Sequence, residues 1–200
     1  MNDEGTSRGS GTRFPGPAGA DSTGEAGESK SKRKPADDPA AQARDVVYRL
    51  LAVRARSHSE LRQALLRKEI DEEVVDSVLQ KFVDAGLVDD ASFAEEWVNS
   101  RQRYQGLGRK ALGFELRRKG VDEQHVEAAL ANVDAESEEE RARELVQRKL
   151  SSMRSADHQA KMRRLVGMLA RKGYSEGLAY RVVKDEIESA DEADPGADLL

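Results

Sequence analysis

A pattern of about 50 residues occurs three times in this chain of 200 residues, and it restricts the possible folds more than any other feature. The windows 61–79, 112–130 and 165–183 align without a gap, and their starts lie 51 and 53 residues apart. Chance agreement between amphipathic helices explains shared leucines, but an apolar stripe does not require the other shared residues. We therefore predict a structural repeat from five identical positions: Leu61/Leu112/Leu165, Leu65/Leu116/Leu169, Arg67/Arg118/Arg171, Lys68/Lys119/Lys172 and Glu72/Glu123/Glu176.

Each window predicts a helix, a tight turn and a second helix, because apolar residues recur at helical spacing on both sides of a turn signal. Gly120 and Gly173 stand at the turn of two windows, whereas the first window has Glu69 there. No run alternates with the period of two that a strand needs. The sequence predicts an all-α fold of three tandem three-helix repeats in an elongated, curved, solenoid-like array. The helix before each window is predicted at about 42–54, 90–104 and 136–152.

The repeats are flanked by two segments of different composition. Residues 1–40 are rich in Gly, Ser, Pro, Asp and Lys, and they predict a disordered polar tail because they cannot bury enough apolar surface. Residues 191–200 predict a shorter, acidic disordered tail. Between the tails, we place the repeats at 41–88, 89–133 and 134–190.

Charge is unevenly distributed along the chain. The net charge is −5, which argues against a generally basic nucleic-acid binder. Acidic residues crowd 134–144 and 185–198, whereas basic residues crowd 101–119 and 148–172. A protein that is acidic overall can therefore present a basic face. No apolar run approaches the roughly 20 residues of a membrane span, and the N-terminus has no apolar signal segment, so we expect a cytoplasmic protein.

The sequence offers little for catalysis or for a cofactor. There is no cysteine, which removes disulfides, thiol chemistry and zinc sites with cysteine ligands. His58, His125 and His158 lie far apart and form no metal-binding pair. The Gly-Leu-Gly at 106–108 has no strand before it and no Lys-Ser or Lys-Thr after it, so it is not a phosphate loop. We expect a non-enzymatic protein that needs no cofactor or metal.

The basic residues are the strongest candidates for a binding site. The repeated Arg-Lys pair predicts a row of cations that would meet phosphates or an acidic protein surface. The same pair also suits the last turn of a helix, where cations offset the helix dipole, and the two interpretations are compatible. A second cluster, over 101–119, is denser than dipole compensation requires. The binding candidates are Arg67, Lys68, Arg101, Arg103, Arg109, Lys110, Arg117, Arg118, Lys119, Arg171 and Lys172.

Aromatic residues of the middle repeat are predicted to form its core and not a base-stacking platform. Phe93 and Trp97 lie at positions i and i+4, and Tyr104 continues near the same side. The predicted core comprises Phe93, Trp97, Leu61, Leu65, Leu112, Leu116, Leu165 and Leu169.

Three motifs of the middle repeat resemble the RecX family of regulatory proteins. The run 86–94 reads GLVDDASFA and is followed by Trp97 and Arg101, then by Gly-Leu-Gly at 106–108 and by ELRRKGV at 115–121. This order of motifs is fairly specific, and the likeness covers about residues 44–188. One departure is Arg109, where members of the family often have a proline that favours a helix start.

The resemblance implies an array of helical repeats that binds the RecA filament on single-stranded DNA. We expect a monomer, because a self-capped repeat array needs no partner chain. The resemblance also implies inhibition of the ATPase, strand-exchange and coprotease activities of RecA, and therefore a role in recombination, DNA repair and the SOS response. A weak direct contact with DNA is compatible with this role. End capping, filament destabilisation and blocked access are all open as modes of inhibition.

Two other functions are weighed against this one. A direct helix-turn-helix-like DNA-binding protein would fit the short helical units, but the helix after the turn opens with acidic residues at 71–73 and 122–123, which suit a DNA groove poorly. A helical adaptor without any link to nucleic acid is the second alternative.

Overall fold

Nine α-helices and no strand form residues 38–153 and 156–193, the part of the chain that the computed structural model describes. The predicted all-α fold of three tandem three-helix repeats is confirmed. The helices are α1 (Pro39–Val53), α2 (His58–Leu66), α3 (Glu72–Asp84), α4 (Asp90–Gln105), α5 (Arg109–Arg118), α6 (Glu123–Ala131), α7 (Ala135–Leu150), α8 (His158–Arg171) and α9 (Glu176–Ala193).

Side-chain caps fix where most of these helices begin. A capping oxygen accepts a hydrogen bond from a free backbone N–H of the first turn, which would otherwise lack a partner. Ser57 and Glu60 form the capping box at the start of α2. Helix α5 differs, because Gly108 provides no side-chain cap and its first N–H groups bond elsewhere. The aspartate caps are Asp38, Asp71, Asp89, Asp122, Asp134 and Asp157.

Each repeat has its own hydrophobic core. Three separate clusters of buried side chains lie within 43–88, 93–133 and 142–187. The six leucines shared by the windows have no exposed surface, and truncation of such a side chain to alanine costs about 2–5 kcal/mol. The helix pairs that pack most extensively also lie within single repeats. The repeats are therefore stabilised from inside by apolar packing, and polar groups supply much of what joins one repeat to the next.

Two features differ from the sequence prediction. Tyr104 is 77% exposed and does not belong to the core of the middle repeat, because α4 ends at Gln105 and its last turn extends past the apolar cluster. Trp97 is half-buried at the edge of that cluster, whereas Phe93 is 5% exposed.

Helix α1 begins, and helix α9 ends, within the segments that the sequence predicts as tails. Asp38 and Pro39 start α1 before the predicted end of the first tail, since an aspartate cap followed by proline favours a helix start. Helix α9 continues to Ala193, and Asp191 within its last turn accepts a hydrogen bond from Lys161. The remainder of the predicted disordered tails, residues 1–37 and 194–200, lies outside the described residues.

Candidate binding surface

The second helices of the three repeats meet end to end. The Ser57 hydroxyl, which caps α2, donates to the Lys119 carbonyl at the end of α5, with the oxygens 2.6 Å apart. The Gly108 N–H at the start of α5 donates to the Lys172 carbonyl at the end of α8, over 2.8 Å. Each junction thus satisfies a free carbonyl at a helix end with a donor from the preceding repeat.

A second contact recurs at both junctions. The first residue of the second helix donates its backbone N–H to a carboxylate on the first helix of the next repeat. His58 donates to Asp90 over 2.8 Å, and Arg109 donates to Glu138 over 2.8 Å. Negative charge at a helix N-terminus is also favoured by the helix dipole. The same two contacts therefore join one repeat to the next at both junctions.

A third contact involves the lysine that recurs at the same position of each window. Lys119 extends back to the first repeat and donates its ammonium to Glu60 over 3.0 Å. Lys172 extends back to the second repeat and donates to the Gln105 carbonyl over 2.5 Å. Lys68 occupies the same window position in the first repeat of the described residues, where no repeat precedes it, and its side chain is exposed. Two of the three lysines at this window position, Lys119 and Lys172, are therefore junction residues.

Trp97 lies beside the first junction, and two cations of the second repeat lie over its ring. The Lys119 ammonium lies 4.0 Å from its ring centroid and the Arg101 guanidinium 4.1 Å. The indole N–H donates to Glu115, which also pairs with Arg101 at 3.2 Å. Because cations lie over the indole ring, and one of them, Lys119, pairs with Glu60 of the first repeat, Trp97 supports the junction and is not an open platform for a ligand.

Glu60 is the carboxylate that pairs with cations at this junction. Burial alone would raise the pKa of Glu60, but hydrogen bonds from Arg54 and Lys119 outweigh burial and lower its pKa to about 2. Both cations lie 3.0 Å from the same carboxylate oxygen. Glu60 therefore stays ionised at neutral pH and links the first repeat to the second.

At the second junction, a buried tyrosine takes the place of the ion pair. The Tyr174 hydroxyl donates to the Gly106 carbonyl over 3.1 Å, and burial raises the pKa of Tyr174 to about 12. Gly173 beside it has a φ of +86°, and a Cβ added there would lie 2.3 Å from the Ala111 backbone nitrogen. Only glycine fits this turn, both for its left-handed backbone and for the close approach of the neighbouring repeat.

Apart from Lys172, which bonds to the Gln105 carbonyl, the ion pairs divide the predicted binding residues into two groups. Arg101, Arg117 and Lys119 are paired with carboxylates, Arg117 with Glu123 at 2.5 Å. Such residues are already neutralised by the protein itself. Within the described residues, the exposed candidates without a carboxylate partner are Arg67, Lys68, Arg103, Arg109, Lys110, Arg118 and Arg171.

Helices α5 and α8 are cationic helices in an acidic protein. Together they contain eight lysines and arginines but a single carboxylate, Glu115, which is turned toward Arg101 and Trp97. Helix α9, by contrast, contains six carboxylates and two cations. The net charge of −5 therefore conceals one strongly basic pair of helices.

Sequence reasoning missed three exposed residues on these two helices, Phe114, Arg163 and Arg164. Phe114 is 63% exposed, an unusual position for a phenyl ring. Its location was readable from spacing, because Leu112 and Leu116 define the buried face of α5 and Phe114 lies between them on the opposite face. The ring was overlooked because the basic residues around it defined the predicted cluster.

Residues 38–153 and 156–193 give little support for a metal site, a membrane span or a ligand pocket. These residues contain no group of three metal-binding side chains, and no helix among them is long and apolar enough to cross a membrane. A cleft of about 790 Å³ lies between α7 and α9, lined mainly by glutamates of α7 together with Arg143 and Arg181. A smaller one of about 310 Å³ lies at the first junction beside Trp97.

Comparison with known protein families covers all three repeats. The models of the first, second and third three-helix domains of RecX match residues 43–82, 89–130 and 136–183. Regulatory protein RecX of Amycolatopsis mediterranei (strain U-32) is 54% identical over 153 residues, which cover 76% of this chain and 87% of that protein. Regulatory protein RecX of Streptomyces coelicolor is 47% identical over 161 residues, which cover 80% and 86%.

Solved structures share the same fold. The crystal structure of RecX from Lactobacillus salivarius superposes with a TM-score of 0.68 at 20% identity and covers 74% of this chain and 96% of that one. A second structure, of a regulatory protein RecX, gives a TM-score of 0.66 at 25% identity and covers 74% and 72%.

Proposed function

Because this chain belongs to the RecX family of regulatory proteins, we propose that it inhibits RecA by binding the RecA filament on single-stranded DNA. The observation that carries the proposal is the match of all three repeats to this family. We propose that it modulates the ATPase, strand-exchange and coprotease activities of RecA in recombination, DNA repair and the SOS response. It would act in the cytoplasm, as a monomer and without catalysis of its own.

The arrangement of the repeats supports a mechanism based on several weak contacts. Arg67, Arg118 and Arg171 occupy the same window position, and all three side chains are exposed. The junction contacts hold the repeats together, so each arginine can meet a different part of a filament. Linked contacts raise the effective concentration of each successive contact, so weak sites add to tight binding. A filament held in one state by such binding would turn over ATP more slowly.

The direct test is the RecA ATPase on single-stranded DNA, with this protein titrated well below one molecule per RecA. The expected result is inhibition at substoichiometric amounts by the full chain, measured with RecA from the same source. No inhibition by a folded, helical protein would refute the proposal.

A charge-reversal variant locates the contact. Replacement of Arg67, Arg118 and Arg171 by glutamate removes one exposed cation from each repeat and should raise the half-inhibitory concentration roughly tenfold or more. Lys119 and Lys172 are left intact, because their replacement would disturb the junctions. The matched control reverses Arg49, Lys81 and Lys184, which are exposed on α1, α3 and α9. Equal inhibition by both triple variants would remove the arginine row from the mechanism.

A further inference from the structure

Lys110, Phe114 and Arg118 form one exposed line on α5, since residues four apart lie on the same side of a helix. Arg163 and Arg171 occupy the matching window positions of α8. We call these five residues the α5–α8 face. The Lys110 N–H donates to the Gly173 carbonyl, so the α5 part of the face begins where the α8 part ends.

This face has an unusual composition for a solvated surface. Its four cations have no carboxylate partner within the described residues, and α8 contains no acidic residue at all. Surface helices ordinarily interleave both signs of charge. The matching position to Phe114 in α8 is Gly167, and the Arg171 guanidinium lies over it, 3.4 Å from where a Cβ would be. The face thus presents cations with one unpaired aromatic ring among them.

We propose that the α5–α8 face binds a single strand of nucleic acid, with phosphates on the cations and a base stacked on Phe114. A phenyl ring has no polar atom, so it adds nothing to the recognition of acidic side chains. A base offers a flat face that stacks on such a ring whatever its sequence. A polyanionic strand meets several cations in succession, which suits a face with no opposing charge. An unpaired base is needed, because bases within a duplex are already stacked.

The inference deepens the proposed function, because the RecA filament contains single-stranded DNA. The observations that support it are those of the α5–α8 face. It names the strand, and not the protein of the filament, as the partner of these five residues. It also assigns a binding role to Phe114, whereas Trp97 serves the junction.

The test measures binding of the full chain to a labelled single-stranded oligothymidylate, without RecA, by fluorescence anisotropy over a series of salt concentrations. Phe114→Ala should weaken binding about 5- to 150-fold, the range for loss of one stacked base. Phe114→Tyr should retain binding, because it keeps the ring. Tyr180→Ala is the matched control, since Tyr180 is 57% exposed on the acidic helix α9. Binding to a duplex of the same length should not change with Phe114→Ala.

The cations are tested through the salt dependence. The double variant Lys110→Gln with Arg118→Gln should make the slope of log K against log salt shallower by roughly 1.4, since each phosphate contact contributes about 0.7 on a single strand. Lys81→Gln with Lys184→Gln is the control pair and should leave the slope unchanged. A strand-binding affinity that is insensitive to Phe114, or absent in the wild-type chain at low salt, overturns the inference.

RecA ATPase measured on the same variants separates this inference from the proposed function. Inhibition that depends on Phe114 while naked-strand binding does not would show that the face meets protein, which overturns the inference and retains the function. If strand binding depends on Phe114 but the protein does not inhibit RecA, the inference is retained and the proposed function is refuted.

Discussion

Replacement of Gly173 by alanine tests whether the second junction depends on a close approach between repeats. Gly173 has a φ of +86°, which costs a residue with a Cβ about 1–2 kcal/mol. The added Cβ would also lie 2.3 Å from the backbone nitrogen and 2.4 Å from the Cβ of Ala111. Backbone at the start of α5 cannot move aside as a flexible side chain can, so overpacking adds about 1–3 kcal/mol.

The free energy of unfolding should therefore fall by about 2–5 kcal/mol in Gly173→Ala. Urea denaturation followed by circular dichroism at 222 nm measures it, since the described part of the chain is all-helical. The denaturant slope should also fall if the third repeat unfolds before the other two, because repeat proteins are stabilised through neighbour contacts. Under the proposed function, inhibition of RecA should weaken at temperatures where the third repeat is unfolded.

Two matched variants separate backbone strain from the contact. Gly86 has a φ of +66° but nothing within 4 Å of an added Cβ, so Gly86→Ala should cost only the conformational part, about 1–2 kcal/mol. Glu69 occupies the equivalent turn of the first repeat with a φ of +59°, and Glu69→Gly should stabilise the protein by up to about 1 kcal/mol. If Gly173→Ala costs no more than Gly86→Ala, the reasoning about the junction is wrong.

Three further predictions concern the junctions. Glu60→Gln should destabilise the protein by about 1–2 kcal/mol at pH 7, a figure reduced for the partial exposure of the ion pair. Because the folded pKa of Glu60, about 2, lies below its ordinary value of 4.5, this difference should be fully present above pH 5 and shrink as the pH falls toward 2, as urea titrations at several pH values would show. Tyr174→Phe removes a buried hydrogen bond and leaves the Gly106 carbonyl without its donor, so thermal unfolding should reveal a loss of about 1–3 kcal/mol. Lys172→Met should destabilise the fold measurably more than Lys68→Met, and equal effects would contradict the junction role of Lys172.

The repeat and its helices were readable from the chain because they depend on local rules. Leucines at helical spacing, capping residues such as Ser57 and Asp71, and the turn glycines each act within a few residues of their own position. Three copies of one pattern then predicted three copies of one unit. The sequence therefore predicted the repeats correctly, because the same local interactions recur in each of them.

The roles of the basic residues were not readable in the same way. The sequence presents Arg118 and Lys119 as equivalent neighbours, yet Arg118 is exposed and Lys119 pairs with Glu60, 59 positions away. Tyr104 and Trp97 likewise share a helix, but one lies in solvent and the other between two cations of the first junction. Composition and spacing cannot distinguish these cases.

The sequence alone determined the helical class, the three repeats, their leucine cores and the likeness to RecX. The tertiary structure decided which cation joins repeats and which faces solvent, why Gly120 and Gly173 replace the Glu69 of the first turn, and where Phe114 lies. The physical reason is that a junction forms between atoms that are distant along the chain. Glu69 is tolerated because, in the part of the chain that the structure describes, no earlier repeat packs against it, whereas an added Cβ at Gly173 would meet backbone of the preceding repeat.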